Sequence, residues 1–589
     1  MITGIFLVAL SWLVFLAAIS LLGYPFAHLL NKKQSGVTIF RDSIWLGLLI
    51  AIIAILIMGI FLPLRSATAL AVFALLVMTA ASSTLLIRRK RPRIKRVSLN
   101  LTTSNLLLFA ALTIALVYLA AAAIGPVTNY DSGLYHLGAI KYAGEYAAIP
   151  GLANLYFPFG YNTSLYPVGA FLGNGPWNGN GFRLANGFLI LLLVTDLASR
   201  LIKGKEKGSK LSTGTYFLLI ATPLTLVPLV SLSDYWVTSP SSDAAVLVIT
   251  LISVAYLLDT LTSKNMAISN ASVSFVAAVI AFSLRPTMAV FLIVLTFVLL
   301  YRLVRVGSLR RVQLVIPAGL GMLLLVTQST RDYFLSGWLQ YPLSLFSFNV
   351  PWLAVDPADN RAATLGNARN PLDIWGSVDG FTWVGPYLSR LPSQWETYFV
   401  AVLALIAIVL LATVKLLRRK LLWRTVILAE IPIIGAVITW FFFSPPTFRF
   451  GWGPVFCLFF ILIAFSVKSL YETAVPPNNL GKLISLKKLL LVPALSLMLI
   501  LVVGFNIVFR FQADTISQIS TWSLGPFAIS YKLAPVVDAP TTEVTVSSGL
   551  TLTSPTLSDQ CWDNYPLCTP SVLPTISLRG ENLQEGLLP

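Results

Sequence analysis

The chain of 589 residues is 57% hydrophobic and only 11% charged, with a mean hydropathy of +0.82 and a formal net charge of +18. Those values exclude a soluble globular protein and call for a polytopic membrane protein. The basic excess gives no reason to expect nucleic acid as a partner: its longest run, RRKRPRIKR, stands between two apolar segments and is accounted for by anchoring on the cytoplasmic side.

In chain order, apolar stretches long enough to cross about 30 Å of hydrocarbon predict spans near 2–28, 44–62, 67–87, 104–124, 181–201, 212–231, 243–262, 267–284, 287–304, 313–329, 397–414, 425–444, 451–467 and 489–508. The predicted fold class is therefore an all-α polytopic membrane protein of about 14 helices. The first stretch lacks a basic start and is too long for the apolar part of a signal peptide, so a retained helix is expected. With the N-terminus and C-terminus outside, the basic connections fall on one face, which then holds 29 of the 41 Lys and Arg and 6 of the 23 Asp and Glu. Outward loops are expected near 125–180, 232–242 and 330–396. A transmembrane unit would cover 1–510, and an extracytoplasmic tail would cover 511–589.

The first outward loop, GPVTNYDSGLYHLGAIKYAGEY, places Asp131, His136, Lys141 and Glu145 at roughly helical spacing just beyond a span. Asp131 has two readings, a general base whose pKa apolar surroundings would raise and an N-cap of the short helix that follows. His136 would donate to a phosphate or orient Asp131, or else serve as an ordinary polar residue of that helix. Lys141 and Glu145 have the spacing of a helical ion pair, with Lys141 also a candidate contact for a phosphate or headgroup. In SDYWVTSPSSDAA, Asp234 and Asp243 flank a tight loop; Asp243 stands where Ser241 or Ser242 would cap the next span, and the other reading of either acid is a contact to a substrate hydroxyl or a metal.

The segment STRDYFLSGWLQYP contributes Arg331 as a candidate anion ligand. Trp338 and Tyr341 open an aromatic series that continues through Trp352, Trp375, Trp383, Tyr387 and Trp395, fit either for an interfacial belt or for a groove holding sugar and lipid. In WFFFSPPTFRFGWG, Arg449 is the single charge between two spans. It offers a permanently charged fork to a phosphate, or a side chain reaching for headgroups. Arg285, in SLRPT, is a weaker version of the same case.

Cys457 lies in an apolar helix, whereas Cys561 and Cys568, in CWDNYPLC, are expected to form a disulfide in a small outward cap. A metal at that pair is disfavoured, because the chain has two histidines and no second cysteine pair.

The strings YDSGLYHLGAIKYAGEYAAIPGLANLYFPFGYNTS, SGWLQYP, SPPTFRFGWG and CWDNYPLCTP resemble an uncharacterised bacterial group of large membrane proteins. In architecture the chain resembles the C-type glycosyltransferases, multi-pass enzymes that use polyprenyl-phosphate sugars and an acidic residue in the first large outward loop. The resemblance implies an inverting transfer on the outer face of the bacterial cytoplasmic membrane, with Asp131 as catalytic carboxylate. His136, Lys141, Asp243, Arg331, Trp338, Tyr341 and Arg449 would contact substrate. A polyprenyl-phosphate-linked sugar donor, a glycan or lipid acceptor and membrane lipids would be the partners. Some members bind a divalent cation through a pair of acids; Ser132 follows Asp131 here, a departure from that pattern. Three other readings stand beside this one: a transporter or flippase for a lipid-linked or amphiphilic solute, a polymerase or ligase of lipid-linked glycans, and a structural membrane protein with a stapled cap.

Overall fold

A computed structural model describes residues 1–30, 35–90, 103–206, 211–231, 236–263, 267–307, 311–473 and 516–589. The chain folds as a helical bundle with a small β-rich cap. Long helices are α1 (Ile2–Leu30), α2 (Gly36–Phe61), α3 (Ala67–Lys90) and α4 (Thr103–Ala123), then the short α5 (Leu137–Glu145) and α6 (Leu165–Leu172). There follow α7 (Phe182–Glu206), α8 (Thr213–Ser231), α9 (Ser242–Thr262), α10 (Ala267–Leu284), α11 (Ala289–Arg305) and α12 (Arg311–Ser336). After α13 (Ala358–Arg369) and α14 (Val384–Arg390) come α15 (Trp395–Leu416), α16 (Trp423–Phe443) and α17 (Phe448–Thr473).

Among the described residues, 11 helices are long and apolar enough to cross a membrane; two shorter apolar helices, Thr213–Leu226 and Ile268–Leu284, stand at two further predicted positions. The predicted span at 489–508 and the candidate Asp234 lie outside the described residues.

Helix α9 forms the axis. Its side chains are apolar on every face, and its span is wholly buried, as expected of a helix surrounded by others. Helices α3, α4, α11, α15 and α16 instead expose Leu75, Phe109, Phe297, Leu405 and Ile427, apolar surface that suits lipid. Helices α1 and α2 cross at backbone contact: a Cβ on Gly47 would lie 1.7 Å from the Ile19 carbonyl oxygen, and one on Gly23 would lie 2.0 Å from that of Ser43. Small residues permit this approach, and close packing drives helix association where lipid is as apolar as the side chains.

The two ends of the bundle carry different polar clusters. At one end Arg200 bridges Asp196 and Asp259, the latter at 2.5 Å. Asp196 accepts from Trp45 Nε1 at 2.7 Å and from the Tyr256 hydroxyl at 2.9 Å, and Arg41 pairs with Asp42 at 3.2 Å. This knot joins α2, α7 and α9, and the Gly214 amide donates to Asp259 Oδ1 at 2.9 Å to add α8. Asp243 and Asp259 stand sixteen residues apart on α9, so the opposite end, where the cap sits, is about 24 Å away.

The cap comprises the hairpins β3–β4 (Gln518–Leu524 and Phe527–Leu533) and β5–β6 (Thr541–Thr545 and Thr551–Pro555), and the short pair β7–β8 (Ser577–Leu578 and Leu587–Leu588). The pair β1–β2 (Trp338–Gln340 and Leu345–Ser347) belongs to the loop after α12. Cys561 and Cys568 are joined by a disulfide, and Cys457 is buried in α17. Backbone bonds seat the cap on the bundle, from Ala534 N to the Ile124 carbonyl at 2.9 Å and from Leu587 N to the Pro150 carbonyl at 2.8 Å. Arg183, fully buried in α7, donates to the Ala534 carbonyl at 2.7 Å.

Candidate functional site

At the cap end, four charged side chains from four segments form an alternating ladder. Arg449 Nη2 lies 2.7 Å from Asp131 Oδ2, and Arg449 Nε lies 3.8 Å from Asp243 Oδ2. Asp243 Oδ1 in turn accepts from Arg285, which also donates to Ser242 Oγ at 3.0 Å. The Phe450 ring lies beneath both guanidinium groups, 4.4 Å from that of Arg285 and 5.1 Å from that of Arg449, so cation–π contact adds to the ion pairs. Asp243 is the most enclosed member, its side chain 1% exposed, against 14% for Arg285, 15% for Asp131 and 26% for Arg449, so the Asp131–Arg449 pair is the most open part of the ladder. An anion or a hydroxyl compound would therefore meet the Asp131–Arg449 end.

Local sequence explains how each member is held. Ser241 caps α9, accepting from the Asp243 amide at 3.3 Å while donating to its carboxylate at 3.0 Å. Asn186 on α7 fixes the preceding turn by donating to the carbonyls of Trp236, Ser239 and Ser241. Arg285 stands before Pro286, where α10 ends and an extended residue precedes a proline-started turn. Arg449 follows Pro445 and Pro446 at the start of α17, and the Tyr387 hydroxyl donates to the Pro446 carbonyl at 2.6 Å. Arg369 secures the same hairpin, donating to the Phe442 carbonyl at 2.8 Å with its guanidinium 4.5 Å from the Trp383 ring. The loop between α12 and α15 thus buttresses the turn that carries Arg449.

Asp131 makes no capping bond to the turn that follows it, Ser132–His136, which is π-helical, a geometry that recurs at functional sites. Its carboxylate turns to Arg449 instead. His136 lies buried, with Nδ1 3.4 Å from Ser132 Oγ, and Ser132 Oγ lies 3.0 Å from Ser239 Oγ. Burial lowers its pKa to about 4, against the pull of Asp131 and Asp243, so the imidazole is neutral at pH 7. Burial likewise pushes the phenols of Tyr135 and Tyr166 well up. Buried polar atoms here that lack a hydrogen-bond partner among the described residues include Arg285 Nη1, Asn186 Oδ1 and the side-chain amide of Asn129, two residues before Asp131.

Other sequence candidates lie elsewhere. Lys141 pairs with Asp563 of the cap at 2.5 Å and Glu145 with Arg65 at 2.8 Å, so the predicted helical pair is not made. Arg331 is buried in α12 and donates to Asn162 Oδ1 at 2.5 Å. Trp338 and Tyr341 are buried with Ala153 and Ala354 in a small core of their own, and the Trp338 indole donates to the Ala354 carbonyl at 3.1 Å.

Sequence reasoning gave Arg285 too little weight and left out Ser132, Ser239, Tyr135, Tyr166 and Phe450. A signal for Arg285 existed, since it shares with Arg449 the context of a lone arginine beside proline between spans. No group of three or more His, Cys, Asp or Glu gathers among the described residues, and both carboxylates of the ladder face guanidinium groups.

Fold and cluster together define the class, a many-helix membrane protein with a carboxylate–arginine ladder at one end of its bundle. The chain belongs to the family described as a domain of unknown function (DUF8201), which matches residues 5–456, a stretch containing all four members of the ladder. No curated protein and no solved structure matches it.

Proposed function

We propose that the protein is an inverting glycosyltransferase that moves a sugar from a polyprenyl-phosphate donor to a glycan or lipid acceptor. Its working face would be the outer face of a bacterial cytoplasmic membrane, the side that the distribution of Lys and Arg assigns to the cap. One observation carries the reading: a carboxylate able to take a proton and a guanidinium able to hold a phosphate stand 2.7 Å apart at the accessible end of the ladder.

In this mechanism the acceptor oxygen forms a bond to the anomeric carbon on the face opposite the phosphate. Its proton passes to Asp131, and the breaking carbon–oxygen bond leaves its electron pair on the phosphate. Arg449 stabilises the charge that gathers there, an interaction strongest in the transition state. Before substrate arrives the two side chains neutralise one another; a phosphate drawing Arg449 away releases the Asp131 carboxylate to act as base. Arg285 keeps Asp243 occupied, so Arg449 exchanges partners without leaving a bare buried carboxylate.

The test is transfer from a synthetic polyprenyl-phosphate sugar by purified protein in lipid nanodiscs. Asp131→Asn and Arg449→Ala should each lower turnover by about 10² or more, the scale of removing one transition-state donor or general base. Full turnover in both variants would reject the mechanism. Proton- or ion-driven movement of an intact amphiphile, without transfer, would favour a carrier.

A further inference from the structure

The segment that carries Asp131 is not held in place by its own helix. Asp131 makes no cap bond, and the turn after it is π-helical, so constraint has to come from outside. Part of it comes from the bundle, through Arg449 on Asp131 and Ser239 on Ser132, and part from the loop closed by Cys561 and Cys568. Within that loop, Trp562 N donates to the Gly133 carbonyl at 2.8 Å, inside the π turn itself. The Trp562 indole lies so close to Gly133 that a Cβ there would stand 2.4 Å from Cε2.

Contacts continue on both sides. The Tyr130 hydroxyl donates to Asp559, and Gln560 Nε2 donates to the Tyr130 carbonyl at 2.7 Å. Lys141 Nζ reaches Asp563 Oδ1 at 2.5 Å and donates to the Asp563 carbonyl at 2.8 Å, and Leu567 N donates to the Tyr142 hydroxyl at 3.0 Å. Residues 559–567 thus grip residues 130, 133, 141 and 142, before and after Asp131.

The grip depends on the shape of the loop. Trp562 and Leu567, each adjacent to a half-cystine, hold φ of +48° and +64°, a region that non-glycine residues avoid unless constrained. Thr553 N donates to the Leu567 carbonyl at 3.1 Å and Thr569 N to the Thr553 carbonyl at 3.0 Å, so one rim of the loop is tied to β6. The Cys561 rim, which carries Trp562, is fastened to that side by the disulfide.

We propose that the disulfide-closed loop Cys561–Cys568 is a positioning device of the Asp131 segment, with Trp562 as its positioning residue, and that opening the disulfide disengages Asp131 from Arg449. In the opening step a dithiol gives two electrons and two protons to the Cys561–Cys568 bond. Two cysteine thiols form, and the reductant closes to its own disulfide. The role of the loop in turnover rests on Asp131 acting as the reacting carboxylate; its grip on residues 130–142 does not.

The experiment is hydrogen exchange read by mass spectrometry on the full chain in nanodiscs. It compares oxidised protein, protein reduced with dithiothreitol, and the Cys561→Ser, Cys568→Ser double variant. Amides in 130–142 should exchange at least about tenfold faster once the bond is open, while those of α9 stay protected. Reduction confirmed by thiol labelling, with protection in 130–142 unchanged, would overturn the proposal; so would equal loss of protection in α9, which marks general unfolding.

Trp562→Ala should loosen the same amides, and Trp562→Phe, which keeps a ring over Gly133, should restore most of the protection. In the transfer assay Trp562→Ala should lower kcat about tenfold at unchanged donor KM, because it displaces the base and not the donor site. A rise in KM alone, or no rescue by Phe, would reject the positioning role. If Asp131→Asn keeps full turnover, the glycosyl-transfer reading falls while the exchange result still decides whether the loop grips the segment.

Discussion

Replacing Arg449 by Gln and Asp131 by Asn, singly and together, tests whether the exposed end of the ladder acts as one unit. The nitrogen and oxygen are 2.7 Å apart, which puts the charge centres near 4 Å, where the attraction is about 4 kcal/mol at an effective dielectric of 20. Partial exposure of both side chains, 26% and 15%, and the cost of ordering them reduce this. It falls between the fraction of a kcal/mol typical of exposed pairs and the several kcal/mol of desolvated ones. The expected coupling is about 2 kcal/mol, read as a double-mutant cycle on reversible unfolding in mixed detergent micelles. The matching Asp243–Arg449 cycle should give less, since those atoms are 3.8 Å apart and Asp243 keeps Arg285. Additivity of the Asp131 and Arg449 variants to within about 0.5 kcal/mol would refute the unit.

Further outcomes follow from the same geometry. For His136 the folded pKa of about 4 lies below the ordinary 6.5, so its contribution is complete above about pH 6.5 and is lost as pH falls towards 4. That is about 3 kcal/mol over the window, and His136→Gln should flatten the melting temperature between those pH values. Gly47→Ala drives a methyl group to 1.7 Å from the Ile19 carbonyl and should destabilise the α1–α2 pair by about 2 kcal/mol or more. Gly319→Ala in α12, with nothing within 4 Å, should be neutral or stabilising by up to about 1 kcal/mol in the same unfolding assay. Lys141→Met should change stability by less than about 1 kcal/mol and leave donor KM unchanged, since its ammonium faces Asp563; a large KM rise would place it in the donor site.

Much of the bundle was legible because membrane helices are a local property. An apolar stretch near twenty residues long in a bilayer has to satisfy its own backbone, and a helix is the only solitary way to do so. Thirteen of the predicted positions carry helices among the described residues, and the cysteines of CWDNYPLC, seven apart, were close enough in sequence for their pairing to be read directly. Arg449 was also visible, as one charge in an apolar, proline-broken turn.

Partner choice was not legible. Lys141 and Glu145 have ideal helical spacing, yet each reaches a group brought near by folding, Asp563 in the cap and Arg65 after α2. Arg331, Trp338 and Tyr341 looked accessible in a long polar loop and are buried by the packing of the 150–165 segment against α12 and β1. The sequence foretold a small stapled cap, but not that it reaches the turn beside Asp131 through Trp562. An ion pair forms or fails over a few ångströms, and those distances are set by how helices far apart in the chain pack together. The sequence by itself therefore determined which segments become helices and which residues are able to carry charge or form a disulfide. Only the tertiary structure decided that Asp131, Arg449, Asp243 and Arg285 stand in one line, because that line exists only once α9, α17 and the α10–α11 turn converge at one end of the bundle.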